Sequence, residues 1–203
     1  MRLYDYELSG NCYKVRFLLH ALGIAYERHS INFFPGREHK SDQFLSEVNP
    51  LGQIPVLEDD GLLLRDAQAI LVYLASRYDK AKAWYPDDAC LRGEIQVWLA
   101  TADEITRTAS AARLHDALGY TQFDIEACRA GAHEVFRVID DHLSVRQAEG
   151  AQWLVGDRPT VADIACFPYI ALAGEGGISI DGYPALRQWL WHCAHLRVSM
   201  CAH

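Results

Sequence analysis

The hydrophobic pattern of the first third of the chain changes its period at short intervals, which is typical of an α/β unit with short connections. Segment 2–6 predicts a strand, and apolar residues at helical spacing after it predict a helix that Gly23 ends. Segment 26–31 predicts a second strand, and the apolar positions within 44–48 predict one face of a short second helix.

A hairpin is predicted next, because Asp60-Gly61 stands between two apolar runs and this pair favours a tight turn. The runs at 54–58 and 62–65 are predicted strands, and Asp66 can cap a third helix. The first domain, residues 1–78, is therefore predicted to be α/β with the order β-α-β-α-β-β-α.

The rest of the chain changes character. The chain turns polar at residues 79–87, which include four charged residues and a proline, so we expect a linker there. From 88 to 203 no strand pattern is found, and apolar residues recur every three or four positions through 91–112 and 125–143. The second domain, residues 88–203, is predicted to be an all-α helical bundle with these two long helices.

Further helix signals follow in the second domain. Thr160 and Asp163 have the spacing of a capping box, with Asp in place of the usual Glu, so a helix is predicted to start there. Pro168 is expected to limit or bend it, and Pro184 to open a last helix. We interpret the box as a folding element without a catalytic role.

Composition excludes several classes of function. The net charge of −8 and the scattered Lys and Arg argue against a nucleic-acid partner. No apolar run is long enough to cross a bilayer, and the N-terminus lacks a secretory signal, so we expect a cytoplasmic protein with no membrane partner. The 6 cysteines and 9 histidines show no metal-ligand spacing, so no metal site is expected.

The turn Ser9-Gly10-Asn11-Cys12, ahead of the first helix, is the first candidate for chemistry. Donors at a helix N-terminus, with the helix dipole, lower the pKa of a thiol bound there. From the residues alone, Ser9 could instead be a simple helix cap and Asn11 a residue in a left-handed turn. Cys12 could be a nucleophile with a depressed pKa or a buried packing residue.

Ile54-Pro55, between a turn and a strand, is the second candidate, because an X-Pro bond in such a place can be kept cis. That arrangement would leave the Ile54 amide and carbonyl without strand partners. A short peptide could pair with them as an added antiparallel strand. The alternative is a trans proline that starts an edge strand.

These motifs resemble, in this order and over nearly the whole chain, those of the glutathione S-transferase family, and most closely its serine-using, theta-like bacterial members. The motifs that carry the resemblance are the Ser9–Cys12 turn, segment 49–57, Asp66 and the 160–163 box. The resemblance implies a thioredoxin-like N-terminal domain that binds glutathione. It implies that the helical domain forms the site of a second substrate.

The resemblance also implies roles at the sulfur of glutathione. Ser9 would donate its hydroxyl to the sulfur, and Asn11 would be a second donor or a replacement. Cys12 is the alternative nucleophile, which would shift the chemistry towards mixed disulfides. It lies deeper in the helix than the cysteine of cysteine-using members, so we favour a packing role for it.

The implied glutathione-binding residues come from three segments of the first domain. They are His39, Lys40, Gln53, Ile54, Pro55, Asp66 and Ala67. His39, Lys40 and Gln53 match positions that hold the glycyl carboxylate, although solvated surface is the alternative for each. Asp66 and Ala67 match the γ-glutamyl site, where most members have Ser or Thr after the acidic residue. The missing hydroxyl predicts roughly ten- to hundredfold weaker glutathione binding.

For the second substrate, a small hydrophobic electrophile, the polar or aromatic candidates are Arg107, Arg113, His115 and Tyr120. Core or surface roles are the alternative for each. Glutathione is the expected co-substrate and no other cofactor is expected. A homodimer and a role in detoxification are expected from the resemblance alone.

Two other functions stay open from the sequence. Asn11 or Cys12 could serve a glutathione-dependent reductase of disulfides or peroxides. A non-catalytic member that binds a hydrophobic ligand or a protein is compatible with Ala67.

Overall fold

The computed structural model describes the backbone of residues 1–200 and the side chains of residues 1–196. Of the cysteines discussed above, Cys201 lies outside the described residues. The chain divides into two compact units, Met1–Lys82 and Ala83–His203.

The first unit is a four-stranded mixed sheet with helices, which confirms the predicted α/β fold. Its strands are β1 (Arg2–Asp5), β2 (Glu27–Ser30), β3 (Val56–Asp59) and β4 (Leu62–Arg65). Its helices are α1 (Gly10–Ala21), α2 (Asp42–Glu47) and α3 (Ala67–Tyr78). The strand order is β2-β1-β3-β4, in which β1 and β2 are parallel and the other pairs antiparallel.

Both faces of the sheet carry buried apolar side chains at the central strand β3, because the successive buried residues Val56 and Leu57 point to opposite sides. Helices α1 and α3 pack together, and the fully buried residues of these helices and the central strands include Leu3, Val15, Leu18, Leu57, Ile70, Leu71 and Leu74. A second cluster consists of Ile31, Phe44 and Val56, with Tyr4, Phe33, Val48 and Ile54 packed against it.

The β3–β4 hairpin has the predicted tight turn, since Asp60 and Gly61 both have positive φ, 51° and 79°. Two successive positive φ values are the signature of a type I′ turn, whose twist matches the flanking strands. The β3 strand begins at Val56 and not at residue 54 as predicted. Pro55 has no N–H to donate to a strand ladder, which accounts for the later start.

The helices described in the second unit are α4 (Ala89–Ile105), α5 (Ala111–Leu118), α6 (Ile125–Ala148), α7 (Val161–Ala171) and α8 (Pro184–Met200). Helix α4 packs on α7, and α6 packs on α8. This confirms the predicted all-helical second part of the chain. Within residues 1–200, no helix is both long and apolar enough to cross a membrane.

The single helix predicted over 91–112 is wrong in detail, because a π-helical turn at Thr106–Ser110 separates α4 from α5. Two hydroxyls there bond back to carbonyls four residues earlier: Thr106 Oγ1 to Ala102 O at 2.9 Å and Thr108 Oγ1 to Glu104 O at 2.6 Å. Such bonds compete with the regular ladder and favour a local change of helix type. Pro168 does not end α7, which continues to Ala171.

The predicted capping box is present at the start of α7. Asp163 is buried and its carboxylate accepts hydrogen bonds from the backbone N–H groups of Thr160 (2.9 Å) and Leu154 (3.0 Å). It also accepts from the indole N–H of Trp189 on α8 at 2.8 Å. Burial raises the pKa of Asp163, while these hydrogen bonds act in the opposite direction. The box therefore joins the start of α7 to the preceding loop and to α8.

Candidate active site

Ser9 is the N-cap of α1. Its Oγ accepts a hydrogen bond of 3.2 Å from the backbone N–H of Cys12, and its own N–H donates to Tyr6 O at 3.0 Å. The Ser9 backbone has extended geometry, with φ −79° and ψ 121°, as an N-cap requires. The first turn of α1 contains no acidic residue, so no carboxylate there offsets the positive end of the helix dipole.

Cys12 and Asn11 follow Ser9 in the first turn of α1. The Cys12 side chain is completely buried, and burial raises the pKa of its thiol to about 12, against a smaller lowering by a hydrogen bond with Ser9. Cys12 is therefore a neutral thiol at neutral pH, which is a poor nucleophile. Asn11 is half-buried.

The turn that precedes β3 is organised by Asn49, a buried residue whose structural role the sequence analysis missed. Its side-chain amide donates to Gln53 O at 2.9 Å, and its Oδ1 accepts from the Leu51 N–H at 3.0 Å. The Ile54–Pro55 peptide bond is cis, as the sequence predicted. Ile54 lies outside the β1–β3 ladder, which pairs Tyr4 with Val56 at this end.

His39 and Lys40 lie in the 3₁₀ turn Glu38–Lys40. The His39 ring is only 4% exposed and stacks on Phe33 with ring centroids 4.0 Å apart. Burial, with the nearby charges of Lys40 and Arg37, lowers the pKa of His39 to about 4, so the ring is neutral at neutral pH. Among the described residues none forms a hydrogen bond with His39 Nδ1.

Lys40 contacts the turn before β3 that contains Gln53. The Lys40 ammonium donates to Leu51 O at 3.0 Å, and Gln53 is exposed. Gly52, which precedes Gln53, has φ 57°, and a Cβ there would stand 2.7 Å from His39 O. Only glycine fits this position, which allows the 3₁₀ turn to approach the turn before β3.

Asp66 connects β4 to α3 and has an unusual backbone conformation for a residue with a side chain, φ 89° and ψ 125°. Its Oδ1 accepts a hydrogen bond of 2.9 Å from the Ala69 N–H, so it is the N-cap of α3 that the sequence predicted. A positive φ at such a residue costs roughly 1–3 kcal/mol and is found at ligand-binding positions more often than elsewhere. Ala67, the first residue of α3, is buried.

Three of the four second-substrate candidates have a side-chain partner within the helical unit. Arg107 donates to Glu104 at 2.7 Å, the buried Arg113 pairs with Glu175 at 2.5 Å, and His115 Nδ1 is 2.8 Å from Asp116 Oδ1.

The fourth candidate is Tyr120, whose amide donates to Leu114 O at 3.1 Å. It follows Gly119, which ends α5 with a positive φ of 70°. Within residues 1–200, no group of three or more His, Cys, Asp or Glu side chains is arranged to hold a metal ion.

Comparisons with known proteins agree with this geometry. A family model for the glutathione S-transferase N-terminal domain matches residues 3–82, and one for the C-terminal domain matches residues 103–196. Glutathione S-transferase theta-2 of Mus musculus is 30% identical over 82% of this chain and 69% of its own length. The chain belongs to the glutathione S-transferase family.

Two further relatives support this glutathione S-transferase assignment. Maleylacetoacetate isomerase of Pseudomonas aeruginosa is 29% identical over 93% of this chain and 88% of its own length. The crystal structure of a glutathione S-transferase from Pseudomonas fluorescens superposes with a TM-score of 0.83 at 28% identity, over 94% of this chain and 92% of that one. The resemblance inferred from the sequence motifs is thus confirmed, and the chain is an enzyme of the glutathione transferase type.

Proposed function

We propose that the protein binds glutathione on its first unit and activates the thiol for attack on a hydrophobic electrophile. The observation that carries the proposal is the Ser9 cap, whose oxygen accepts the Cys12 N–H at the start of a helix that has no acidic residue in its first turn. A sulfur placed there would meet a hydroxyl donor and the positive end of a helix.

Activation is needed because a free thiol, with a pKa of about 8.5, is only slightly ionised at neutral pH. Each unit by which the site lowers that pKa corresponds to about 1.4 kcal/mol of preferential stabilisation of the thiolate. In the reaction, the thiolate sulfur forms a bond to the electrophilic carbon. The leaving group departs with the electron pair of the bond that breaks.

Three segments of the first unit support the docking of glutathione. The backbone of Ile54 lies outside the strand ladder and could pair with the cysteinyl unit as an added strand. The first amides of α3, with the Asp66 carboxylate, suit the γ-glutamyl end, which carries both a carboxylate and an ammonium group. Lys40 and Gln53, with His39, are proposed to hold the glycyl carboxylate.

The state of the Cys12 thiol distinguishes conjugation from mixed-disulfide chemistry. A thiol that is fully buried, with a pKa raised to about 12 chiefly by burial, is a poor nucleophile at neutral pH. We therefore propose that Ser9 activates the thiol, that Asn11 is a second donor, and that Cys12 packs in the core. This choice favours the transferase over the disulfide reductase.

The remaining proposals concern the second substrate, the cellular location, the oligomeric state and the physiological role. We assign the electrophile to the helical unit, with Arg107, Arg113, His115 and Tyr120 as its candidate residues. The side-chain contacts of Arg107, Arg113 and His115 do not identify the electrophile. A cytoplasmic homodimer with a role in detoxification is proposed from family membership.

Two assays test the function. Retention on immobilised glutathione, eluted by free glutathione, is expected, and the same protein should conjugate a chloronitrobenzene. A glutathione-capped disulfide is the matched second substrate. Faster turnover of the disulfide would make the protein a reductase, and retention without either activity would make it a binding member. Absence of both retention and turnover would refute the proposal.

A further inference from the structure

Asp5, the last residue of β1, is a fully buried carboxylate that the sequence analysis did not single out. Two arginines pair with it from neighbouring elements: Arg16 from α1 and Arg28 from β2. Arg16 forms a hydrogen bond with Asp5 Oδ1, whereas the contact of Arg28 with Oδ2 is an ion pair without hydrogen-bond geometry. The signal available in the sequence was an acidic residue at an inward-facing position of a short strand.

Arg16 also contacts the loop that leads from β1 to Ser9. Its Nη1 donates to Tyr6 O at 3.3 Å, and its Nη2 donates to Glu7 O at 3.0 Å. The Tyr6 carbonyl accepts in addition the N–H of Ser9 at 3.0 Å. One guanidinium therefore binds a buried carboxylate and two successive carbonyls, and one of these carbonyls also fixes the Ser9 amide.

The planar guanidinium is suited to this task, because its donors are held in a rigid fork while a lysine presents a single charged nitrogen. The side chain of Arg16 is 21% exposed and the partner carboxylate is 0% exposed, so water competes little for the anchoring bond. The loop between Asp5 and Ser9 is short, and both of its first carbonyls are bound.

We propose that Arg16 is a positioning residue for thiol activation: anchored on Asp5, its guanidinium holds the Tyr6 and Glu7 carbonyls and so places the Ser9 hydroxyl beside the docked sulfur. This proposal rests on the proposed function, since it concerns the same thiol. It assigns to Arg16 no contact with glutathione. Its effect passes through the Tyr6 carbonyl and Ser9.

Arg28 provides a matched control. It pairs with the same carboxylate, but within residues 1–200 the structure gives it no hydrogen bond to a carbonyl of the 6–9 loop. Arg16→Lys and Arg28→Lys each keep a positive charge near Asp5. Only the first removes the fork that spans the two carbonyls. A purely structural role of the Asp5 cluster would make the two variants alike.

The experiment titrates the thiolate absorbance of glutathione bound to each full-length variant, with thermal unfolding of the same samples. Arg16→Lys is expected to raise the thiol pKa by about one unit, a tenfold loss of thiolate below that pKa. Arg28→Lys should leave the thiol pKa unchanged. Equal shifts in the two variants, or no shift in Arg16→Lys, would overturn the proposal.

A double-mutant cycle distinguishes an effect through Ser9 from a general structural effect. It compares the shift in thiol pKa that Arg16→Lys causes in the presence and in the absence of the Ser9 side chain. If Arg16 acts through Ser9, then Arg16→Lys causes no further shift in a Ser9→Gly background. A shift as large as in the wild type would show that Arg16 acts independently of Ser9, and would overturn the proposal. Arg16→Gln replaces Arg16→Lys if the lysine variant does not fold. A wild type that binds no glutathione, or leaves its thiol pKa at the free value, contradicts the proposed function itself.

Discussion

The backbone N–H of Cys12 donates a hydrogen bond of 3.2 Å to the side-chain oxygen of Ser9. A hydroxyl has one proton and two lone pairs, so this bond uses acceptor capacity and leaves the proton available. The Cys12 thiol beside it has a pKa raised to about 12, mainly by burial, and as a neutral thiol it is a weak acceptor. A docked thiolate would be the stronger acceptor for the Ser9 proton.

This relationship predicts that Ser9→Gly separates thiol activation from helix capping. Glycine at an N-cap costs only a few tenths of a kcal/mol, so α1 should remain intact. The thiol pKa of bound glutathione is expected to rise by about one to two units, because a hydrogen bond to a charged group contributes roughly 1.5–3 kcal/mol. Titration of the thiolate absorbance measures the shift.

Two variants control this result. Ser9→Thr keeps the hydroxyl and should restore most of the lowered thiol pKa. Cys12→Ala should leave the thiol pKa near the wild-type value while it lowers the free energy of unfolding by about 1–2 kcal/mol, because it removes a buried side chain. A rise of the thiol pKa in Cys12→Ala as large as in Ser9→Gly would transfer the role to the cysteine.

The predictable parts of the structure are those that local chemistry determines. Asp60-Gly61 imposes a type I′ turn, Thr160 with Asp163 caps a helix, and Asp66 starts α3; each signal acts within a few residues. The π-helical turn at Thr106–Ser110 was missed because hydroxyl groups within a helix can either bond back to carbonyls or point to solvent.

In the candidate site, too, the features set by local sequence were predictable and those set by contacts between elements were not. The Ser9 turn and the Ile54-Pro55 bond stand out as motifs, whereas the burial of His39 depends on its stacking with Phe33. The pairing of Asp5 with Arg16 joins a strand to a helix, and although the position of Asp5 in a short strand is a local signal, no local pattern predicts its arginine partner. Contacts between elements depend on tertiary packing, which cannot be read from local patterns in one sequence.

A single substitution at Ala67 is predicted to strengthen glutathione binding. Most members of the family have Ser or Thr after the acidic residue at the position proposed here for the γ-glutamyl end, and this chain has Ala67 after Asp66. Ala67→Ser is expected to tighten glutathione binding about tenfold, because a hydrogen bond to a carboxylate contributes about 1.5 kcal/mol or more. Calorimetric titration with glutathione measures the dissociation constant.

Ala69→Ser, in the same turn of α3, is the control for a general effect of serine on the helix. Ala69 is exposed and donates its N–H to the Asp66 side chain, so its own side chain can change with little loss of stability. It should leave the dissociation constant within about twofold. An unchanged affinity in Ala67→Ser would remove residue 67 from the γ-glutamyl site.

His39 predicts a loss of stability on acidification. Burial, and to a smaller extent the charges of Lys40 and Arg37, lowers the pKa of His39 to about 4 in the folded chain. In the unfolded chain the histidine has its ordinary pKa of about 6.5, so below that pH the unfolded chain binds more protons at this residue than the folded chain does. The stabilisation is complete above that ordinary pKa and is lost as the pH falls towards 4. Between pH 7 and 5 the loss is about 2 kcal/mol.

Urea unfolding of the wild type and His39→Phe at pH 7 and pH 5 isolates this contribution. Phenylalanine keeps an aromatic ring against Phe33 and has no proton to gain. The difference in unfolding free energy between the two pH values should be about 2 kcal/mol smaller in the variant. Equal differences in both proteins would mean that His39 titrates in the fold as it does in the unfolded chain.

Asp163 predicts a stability effect confined to the helical unit. Its carboxylate accepts from the N–H groups of Leu154 and Thr160 and from Trp189 Nε1, all in a buried setting. Asp163→Ala would leave these three buried donors without their acceptor. Each buried donor that lacks a hydrogen-bond acceptor costs about 1–3 kcal/mol. The expected loss is about 3–5 kcal/mol of unfolding free energy, measured by denaturant titration.

Thr160→Ser is the conservative counterpart, because it keeps the hydroxyl that accepts the Ala162 N–H at 3.2 Å. It should change stability by less than about 1 kcal/mol. Glutathione affinity, measured where Asp163→Ala is still folded, should equal that of the wild type, since the proposed glutathione residues belong to the first unit. A destabilisation below about 1 kcal/mol would show that the buried carboxylate costs nearly as much in desolvation as its hydrogen bonds contribute.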